Sequence, residues 1–561
     1  MKRLSLGLDF GTESLRAILV DLDSGQEAGE EAFEYPHGVI SERLPCAAGT
    51  PLGPDWFLQD PRDYLSGLQH VVPAVLKQAR AKGRDVVGIG LDFTACTVLP
   101  TDREGTPLCC KGEFEADPQA WVKLWKHHGA SAEAVRIQSV AEERGERFMD
   151  FFAHAISSEW LMPKALETRH RSPAVYEAAH TFVEGTDWIP WQLTGRLARN
   201  ACCAGFKAQY LADLGGYPSR EFLEAVEKGF GDFYEAKIGG PIIPAGEPVG
   251  GLTPQWAARL GLEPGTPVSA GMIDAHMGVL GIGITQPGRM ALVLGTSFCQ
   301  LMLTEELRLC QGPLGVVKDG IIPGYYAYEA GQSAGGDIYA WFVANCVPAR
   351  YEEAARQQGV SVHEMLSREA ARLAPGQSGL VALDWWNGNR SILMDAQLSG
   401  LLVGATLNTK PEEIYRALIE ATAFGTRRIL QAYRDGGIKI KELVACGGLP
   451  EKNPLVMHVF ADVCDMPVHV AGTPQAMALG AAMCGAVAGR ERGGFGSLRE
   501  AAQHLAKPPR QTYRPDPQRA AAYGEIYREY VSLYDYFGRR ERLMHRLRAI
   551  KARAQRTGVD R

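Results

Sequence analysis

Two apolar runs split by a short polar turn open the chain. In LSLGLDFGTESLRAILVD, residues 4–21, this pattern predicts strands over 4–10 and 15–21 joined by the tight turn Gly11-Thr12-Glu13-Ser14, with Asp9 at the end of the first. EEAFEYP, near residue 31, supplies a candidate third strand. From residue 63 to 83 the spacing changes: Leu65, Leu68, Val72, Val75 and Leu76 recur at helical intervals, predicting a helix kinked at Pro73. VVGIGLDF, residues 86–93, predicts a buried strand in the middle of a parallel or mixed sheet. Residues 113–240 are richer in aromatic and mixed-charge segments and predict a mostly helical insertion. PVSAGMIDAHMGVLGIG, 267–283, predicts a strand ending at Asp274, then a glycine-rich turn and a helix. At Ala291 the pattern restarts with the hairpin ALVLGTSFCQLML, a long helix around 412–436, the strand ELVACGG, a helix and the strand MPVHVAG. The second half repeats the first in outline, which predicts two α/β domains over 1–285 and 286–561.

The totals fit that division, because 561 residues exceed one ordinary core. A net charge of −6 argues against a general nucleic-acid partner. No apolar run reaches the roughly 18 residues of a membrane span, and residues 1–10 lack the apolar stretch and cleavage site of a signal peptide. The 12 cysteines show no C-x-x-C spacing and read as reduced thiols, so a cytoplasmic location is expected. From Arg539 the tail is basic, with Leu543, Leu547 and Ile550 at helical spacing, and reads as a solvated helix lying on the body.

The chemistry gathers at the turns. A Gly-Thr turn exposes successive backbone N–H groups and a hydroxyl, which suit phosphate oxygens. Gly11 and Thr12 do so in the first hairpin, and Gly295, Thr296 and Ser297 repeat the arrangement in the second. Asp9 suits Mg²⁺, which takes few carboxylates alongside phosphate. Gly447-Gly448 lets a flat ring approach the backbone, and Asn453-Pro454 forms a helix start that suits an adenosine pocket. The helix after Gly472 carries small residues on its packing face and allows close approach of two domains that hinge.

In this order the phosphate hairpin, second phosphate hairpin and adenosine motif resemble the superfamily of sugar kinases, actin and heat-shock ATPases. Over nearly its whole length the chain resembles the FGGY carbohydrate kinases. The matching segments are FVEGTDWIPWQLTGRLARN (182–200), SAGMIDAHMGVLG (269–281), LVLGTSFC (292–299) and EAGQSAGGDIYAWF (329–342). DFTACT (92–97), LWKHH (124–128) and AGFKAQY (204–210) resemble the members that phosphorylate L-ribulose, and the Met-His-Gly of xylulose-type members is absent. The resemblance implies two ribonuclease-H-like domains, each a mixed sheet flanked by helices, around an interdomain cleft. It implies ATP and Mg²⁺, a ketopentose substrate, and a homodimer. Asp274 matches the catalytic base. Lys207 and Glu329 match sugar contacts, Ala95 and Cys96 line the sugar pocket, and Trp125 and Lys126 shape its rim. Gly11, Thr12, Glu13, Gly295, Thr296, Gly447, Gly448 and Asn453 bind the nucleotide, and Asp9 organises Mg²⁺. The implied reaction is phosphorylation of L-ribulose at O5 in L-arabinose breakdown, with D-ribulose, ribitol and arabitol as alternatives.

Two other classes compete. GQSAG, 331–335, fits a serine-hydrolase nucleophile elbow at Ser333, with Asp384 and His458 as candidate partners. A non-catalytic actin-like ATPase would share the nucleotide core without the sugar-side segments at 92–97 and 204–210. DFG at 9–11 lacks the upstream elements of a protein kinase, and no Gly-Lys pair exists for a Walker loop.

Overall fold

A computed structural model describes residues 2–558. The opening apolar runs form the strands Leu4–Phe10 and Ser14–Asp21, and Glu27–Glu34 is the third strand. The first two pair antiparallel from Leu4↔Asp21 to Phe10↔Leu15. Val86–Phe93 pairs parallel with Leu4–Phe10, placing Asp92 beside Asp9. Counting strands by their order in the chain, the first sheet runs third, second, first, fourth, sixth, fifth, with Pro267–Ser269 beside Val86–Phe93 and Pro248–Gly251 at the edge. The second sheet repeats the arrangement of an antiparallel hairpin with a further antiparallel strand on one side and parallel strands on the other. Tyr326–Gln332, Phe298–Thr304, Arg289–Leu294, Glu442–Cys446 and Val468–Val470 lie side by side, flanked by Gly315–Lys318 and Gln511–Tyr513.

The helix predicted around 412–436 spans Pro411–Asp435. Pro411 opens it, and the Glu413 carboxylate accepts the Lys410 N–H at 2.7 Å. The early helix runs from Pro61 to Gln78 through Pro73. Two expectations need correction. No glycine-rich turn follows the strand that leads to Asp274. Pairing lapses at Ala270, whose N–H turns to Glu247 O (2.9 Å), resumes over Met272–Ile273, and the helix Asp274–Gly281 begins at Asp274 itself. The 113–240 region is largely helical, yet it also contributes Val122–Lys123 and Thr181–Glu184 to a four-stranded sheet with Leu58–Gln59 and Val98–Thr101.

The two halves meet backbone to backbone. The helix Ala476–Ala488 belongs by sequence to the second half but packs on the first half's sheet. A Cβ on Gly7 would stand 2.0 Å from Ala478 O, and one on Gly90 would stand 1.9 Å from Ala481 O. The same helix crosses Asp274–Gly281, where Cβ atoms on Gly480 and Gly281 would stand 2.3 Å from Met277 O and 1.8 Å from Ala476 O. Glycine in a strand weakens it, and here it marks this close approach. Ser5 Oγ donates to Ala482 O at 2.6 Å. The core around this crossing joins Ile18, Val20, Met277, Leu280, Ala291, Leu301 and Leu479.

The C-terminal helix Leu543–Gly558 docks through buried Met544, a His545–Asp395 contact of 2.8 Å and an Arg548–Leu398 O bond of 3.1 Å. Leu543, Leu547 and Ile550 are exposed. No helix among the described residues is long and apolar enough to cross a membrane.

Candidate active site in the cleft

Three carboxylates converge where the first sheet opens into the cleft. Asp9 and Asp92 end neighbouring parallel strands, and Asp274 opens the helix that follows Met272–Ile273 on the far side of Asp92. Burial pushes the Asp9 carboxyl up, against the opposing pull of Arg16 at 3.4 Å. Asp92 is fully buried with both oxygens unpartnered. Burial first, then the charges of Asp9 and Asp274, hold its carboxyl well above the usual carboxylate range. Asp274 is half-buried. Burial raises its pKa to about 7, opposed by the Ala275 N–H, which donates to Oδ1 at 2.7 Å. A carboxylate near neutrality in a cleft suits a general base. Mg²⁺ takes one or two carboxylates and completes its shell with water and phosphate oxygens, a habit that Asp9 with its neighbour fits. Among the described residues, no three His, Cys, Asp or Glu side chains form a set that holds a metal unaided.

Beside Asp274 lies a wall drawn from both halves. Lys207, on the helix Ala201–Ala208, pairs with Glu329, on the strand Tyr326–Gln332, at 2.8 Å; both side chains are buried. His276 Nε2 lies 3.4 Å from Glu329, and its ring packs on Phe206. Although burial opposes charge on both partners, mutual attraction raises the Lys207 ammonium and, with help from His276, holds the Glu329 carboxyl well below its usual range. Ala95 and Cys96 form a tight turn here, with Cys96 in the left-handed region at φ 56°. Thr94 and Thr97 hydroxyls close the turn at 2.8 Å. From beneath, the buried Lys164 ammonium donates to Cys96 O and Leu124 O, both at 2.6 Å. Trp125 donates through Nε1 to Thr12 Oγ1 (3.1 Å), which ties the sugar-side loop to the first hairpin, whereas Lys126 sits over the Phe57 ring.

The hairpin tips are open. Gly11 N–H bonds Ser14 O at 2.9 Å, and Glu13 is exposed. Thr296 is exposed, and its carbonyl accepts from Gly335 N–H at 2.9 Å, joining the second tip to the start of the helix Gly336–Cys346. Gly447 has φ 98°, and a Cβ there would stand 2.6 Å from Leu294 O, so the adenosine motif is seated on the second hairpin. Gly448 has open space before it and begins a short helix, Gly448–Lys452, ahead of the helix Pro454–Cys464. Asn453 caps the latter through Oδ1 to Val456 N (3.4 Å) and donates to Ser367 Oγ (2.9 Å). Its amide is committed to structure, yet the residue lines a cavity of about 1080 Å³ with Gly336, Tyr339, Leu449 and Lys452. That volume suits a nucleoside.

The segment around Ser333 is a strand, a turn and a helix, as an elbow requires, but its proposed partners are engaged with other groups. Asp384 accepts from Gln332 and Tyr530, and the His458 ring packs on Tyr513. Sequence reasoning passed over Asp92, His276, Lys164, Glu159 and Arg390. Asp92 carried a signal, because LDF ends both parallel strands (8–10 and 91–93). Arg390 lies in a loop without periodicity and carried none.

Comparison with known proteins gives the family. The model of the N-terminal domain of the FGGY family of carbohydrate kinases matches residues 4–281, and that of the C-terminal domain matches 290–489. The chain is 49% identical to a ribulokinase of Geobacillus thermodenitrificans, over 99% of this chain and 98% of that protein. It is 49% identical to a ribulokinase of Halalkalibacterium halodurans, over 98% of each. Among solved structures, a ligand-bound xylulose kinase from Lactobacillus acidophilus superposes with a TM-score of 0.77 at 18% identity, covering 96% of this chain and 99% of that one. That likeness shows the shared fold.

Proposed function

The chain belongs to the FGGY family of carbohydrate kinases, and from that membership we propose that it transfers the γ-phosphoryl group of ATP to O5 of L-ribulose. The observation that carries this reading is Asp274, a half-buried carboxylate with a pKa of about 7, set between Asp9 on the phosphate side and Lys207–Glu329 on the sugar side. The names of the 49% identical relatives favour ribulose.

In this mechanism the ketopentose lies against Ala95, Cys96, Lys207 and Glu329, with its acceptor hydroxyl on Asp274. Asp274 takes the hydroxyl proton as the oxygen attacks the γ-phosphorus in line and ADP leaves. Phosphoryl transfer depends on positioning and charge stabilisation. The Gly11 and Gly295 N–H groups close their own hairpins, so the backbone N–H and hydroxyl of Thr12 and of Thr296 face the phosphates from the two halves, and Gly447, Gly448 and the cavity beside Asn453 receive the nucleoside. Mg²⁺, when held near Asp9, neutralises charge on the phosphate oxygens. Closure of the cleft removes water, the competing acceptor.

The test is ADP release with Mg-ATP and a panel of L-ribulose, D-ribulose, L- and D-xylulose, ribitol, L-arabitol and glycerol, against a blank without sugar. The highest kcat/KM with L-ribulose is expected. A preference for another member would reassign the substrate and leave Asp274 in place. ADP release independent of any sugar would overturn the kinase mechanism.

A further inference from the structure

Lys207–Glu329 has a companion across the sugar side of the cleft. Arg390 belongs to the second half and Glu159 to the first, and Arg390 Nη2 lies 3.6 Å from Glu159 Oε1. Both side chains are largely shielded, at 25% and 19% exposure. The Arg390 loop is firmly held. Ser391 N–H donates to Gly331 O at 3.0 Å, and Gly331 N–H donates to Ser391 Oγ at 3.1 Å. Asn389 and Asp395 exchange backbone bonds of 2.9 Å, and Asn389 Oδ1 accepts from Leu393 N–H at 2.8 Å.

This clamp sets the guanidinium's position. Gly331 stands two residues beyond Glu329 on one strand, hence on the same face. Without a side chain at Gly331, the Arg390 stem fills that place: its Cδ lies 3.2 Å from where a Cβ would be. Besides Glu159, the ionisable groups that act electrostatically on the guanidinium include Cys299, Glu329 and Cys96. Two of these, Glu329 and Cys96, belong to the wall assigned above to the sugar. A guanidinium carries five N–H donors. Among the described residues Arg390 has one ion-pair partner, at 3.6 Å, and its side chain donates no hydrogen bond. The side chain keeps 25% exposure and none of its nitrogens is a fully buried orphan, so its donors are open to the cleft, where sugar oxygens are suitable acceptors.

We propose that Arg390 is a sugar-contact residue supplied by the second half, donating to ketopentose oxygens across the cleft while Glu159 aims it. The proposal rests on the sugar-kinase reading of the cleft and adds to it a specificity-determining group. It gives the second half a second contact with the sugar, beside Glu329.

Arg390→Gln, Arg390→Lys and Glu159→Gln are compared with the unaltered protein. The readouts are KM for L-ribulose, KM for Mg-ATP, and L-ribulose affinity by titration calorimetry without nucleotide. Arg390→Gln should raise the sugar KM and weaken sugar affinity by about 10- to 100-fold, leaving KM for Mg-ATP within about twofold. Arg390→Lys, which keeps the charge but loses the fork, should fall between. Glu159→Gln should cost less than Arg390→Gln, since the donors remain. Unchanged sugar affinity in Arg390→Gln, beside an unaltered protein that turns over sugar, would overturn this assignment alone. Equal losses in Arg390→Gln and Glu159→Gln that extend to Mg-ATP would overturn it in favour of a simple latch. An unaltered protein without sugar-dependent turnover would overturn both this assignment and the sugar-kinase reading.

Discussion

In the proposed mechanism Asp274 must lose its proton to act, and its surroundings resist that loss. Because its pKa is raised to about 7, the ionised base is present above that value and is lost as the pH falls through it. The acid limb of kcat/KM for the sugar should therefore centre near pH 7, which a pH–rate profile would read. The same shift has a sign for stability. Between the ordinary 3.8 and about 7 the folded protein holds a proton that the unfolded chain releases, so this group's contribution falls as pH rises through that window. Asp274→Asn should lower turnover by about 10²- to 10⁴-fold yet melt above the unaltered protein at pH 8. The gain should vanish below pH 4, and calorimetric melts at the two pH values test it. Glu329 is the opposite case. Its removal strands a buried ammonium, so Glu329→Gln should cost about 3–5 kcal/mol by urea unfolding and weaken the sugar KM more than the Mg-ATP KM. Asp274, Lys207 and Glu329 were legible as candidates in short motifs, but the pairing of the last two, 122 positions apart, was not. Arg390 and Glu159 were not, because a contact across 231 positions of chain leaves no local spacing to read.

At the scale of elements, the decisive contact is the crossing of Asp274–Gly281 with Ala476–Ala488. Met277 is one helical turn beyond Asp274, and its carbonyl is what a Cβ at Gly480 would strike, at 2.3 Å. Gly480→Ala should separate the helices and shift Asp274. A loss of about 1–3 kcal/mol is expected from the overpacking, with at least a several-fold fall in kcat. Thermal melts and single-turnover rates would detect these, and an unchanged kcat would disconnect the crossing from the base. The hairpins, Val86–Phe93 and the long helix were legible because periodicity and turn chemistry are local. Small residues in the Ala476–Ala488 segment pointed to close packing, but the pattern does not say which sheet receives the helix. The start of the helix at Asp274 was hidden because loss of pairing at Ala270 depends on Glu247, far away in sequence.

At the scale of the molecule, the proposed mechanism gives each half one phosphate hairpin and one side of the sugar wall, so the site is complete only when the halves approach. Small-angle scattering should show a smaller radius of gyration with L-ribulose and a non-hydrolysable ATP analogue together than with neither. The doubled arrangement was legible as a repeated outline, since a hairpin followed by helix and strand recurs at Ala291. The extra strands of the 113–240 region were not, because two- and four-residue strands are too short to show alternation.

The glycine and alanine contacts between the halves carry one more consequence. Where main chain touches main chain, no neighbouring side chain can be exchanged to absorb an added methyl, so the pivot has almost no room to vary. The sugar wall is built from long side chains on loops and strand ends, where a change at one position can be answered at another. In the proposed mechanism the enzyme thus separates what moves from what chooses. Its taste in sugars can be re-engineered at the wall, by substitution or by selection, while the joint that makes every turnover possible is left untouched.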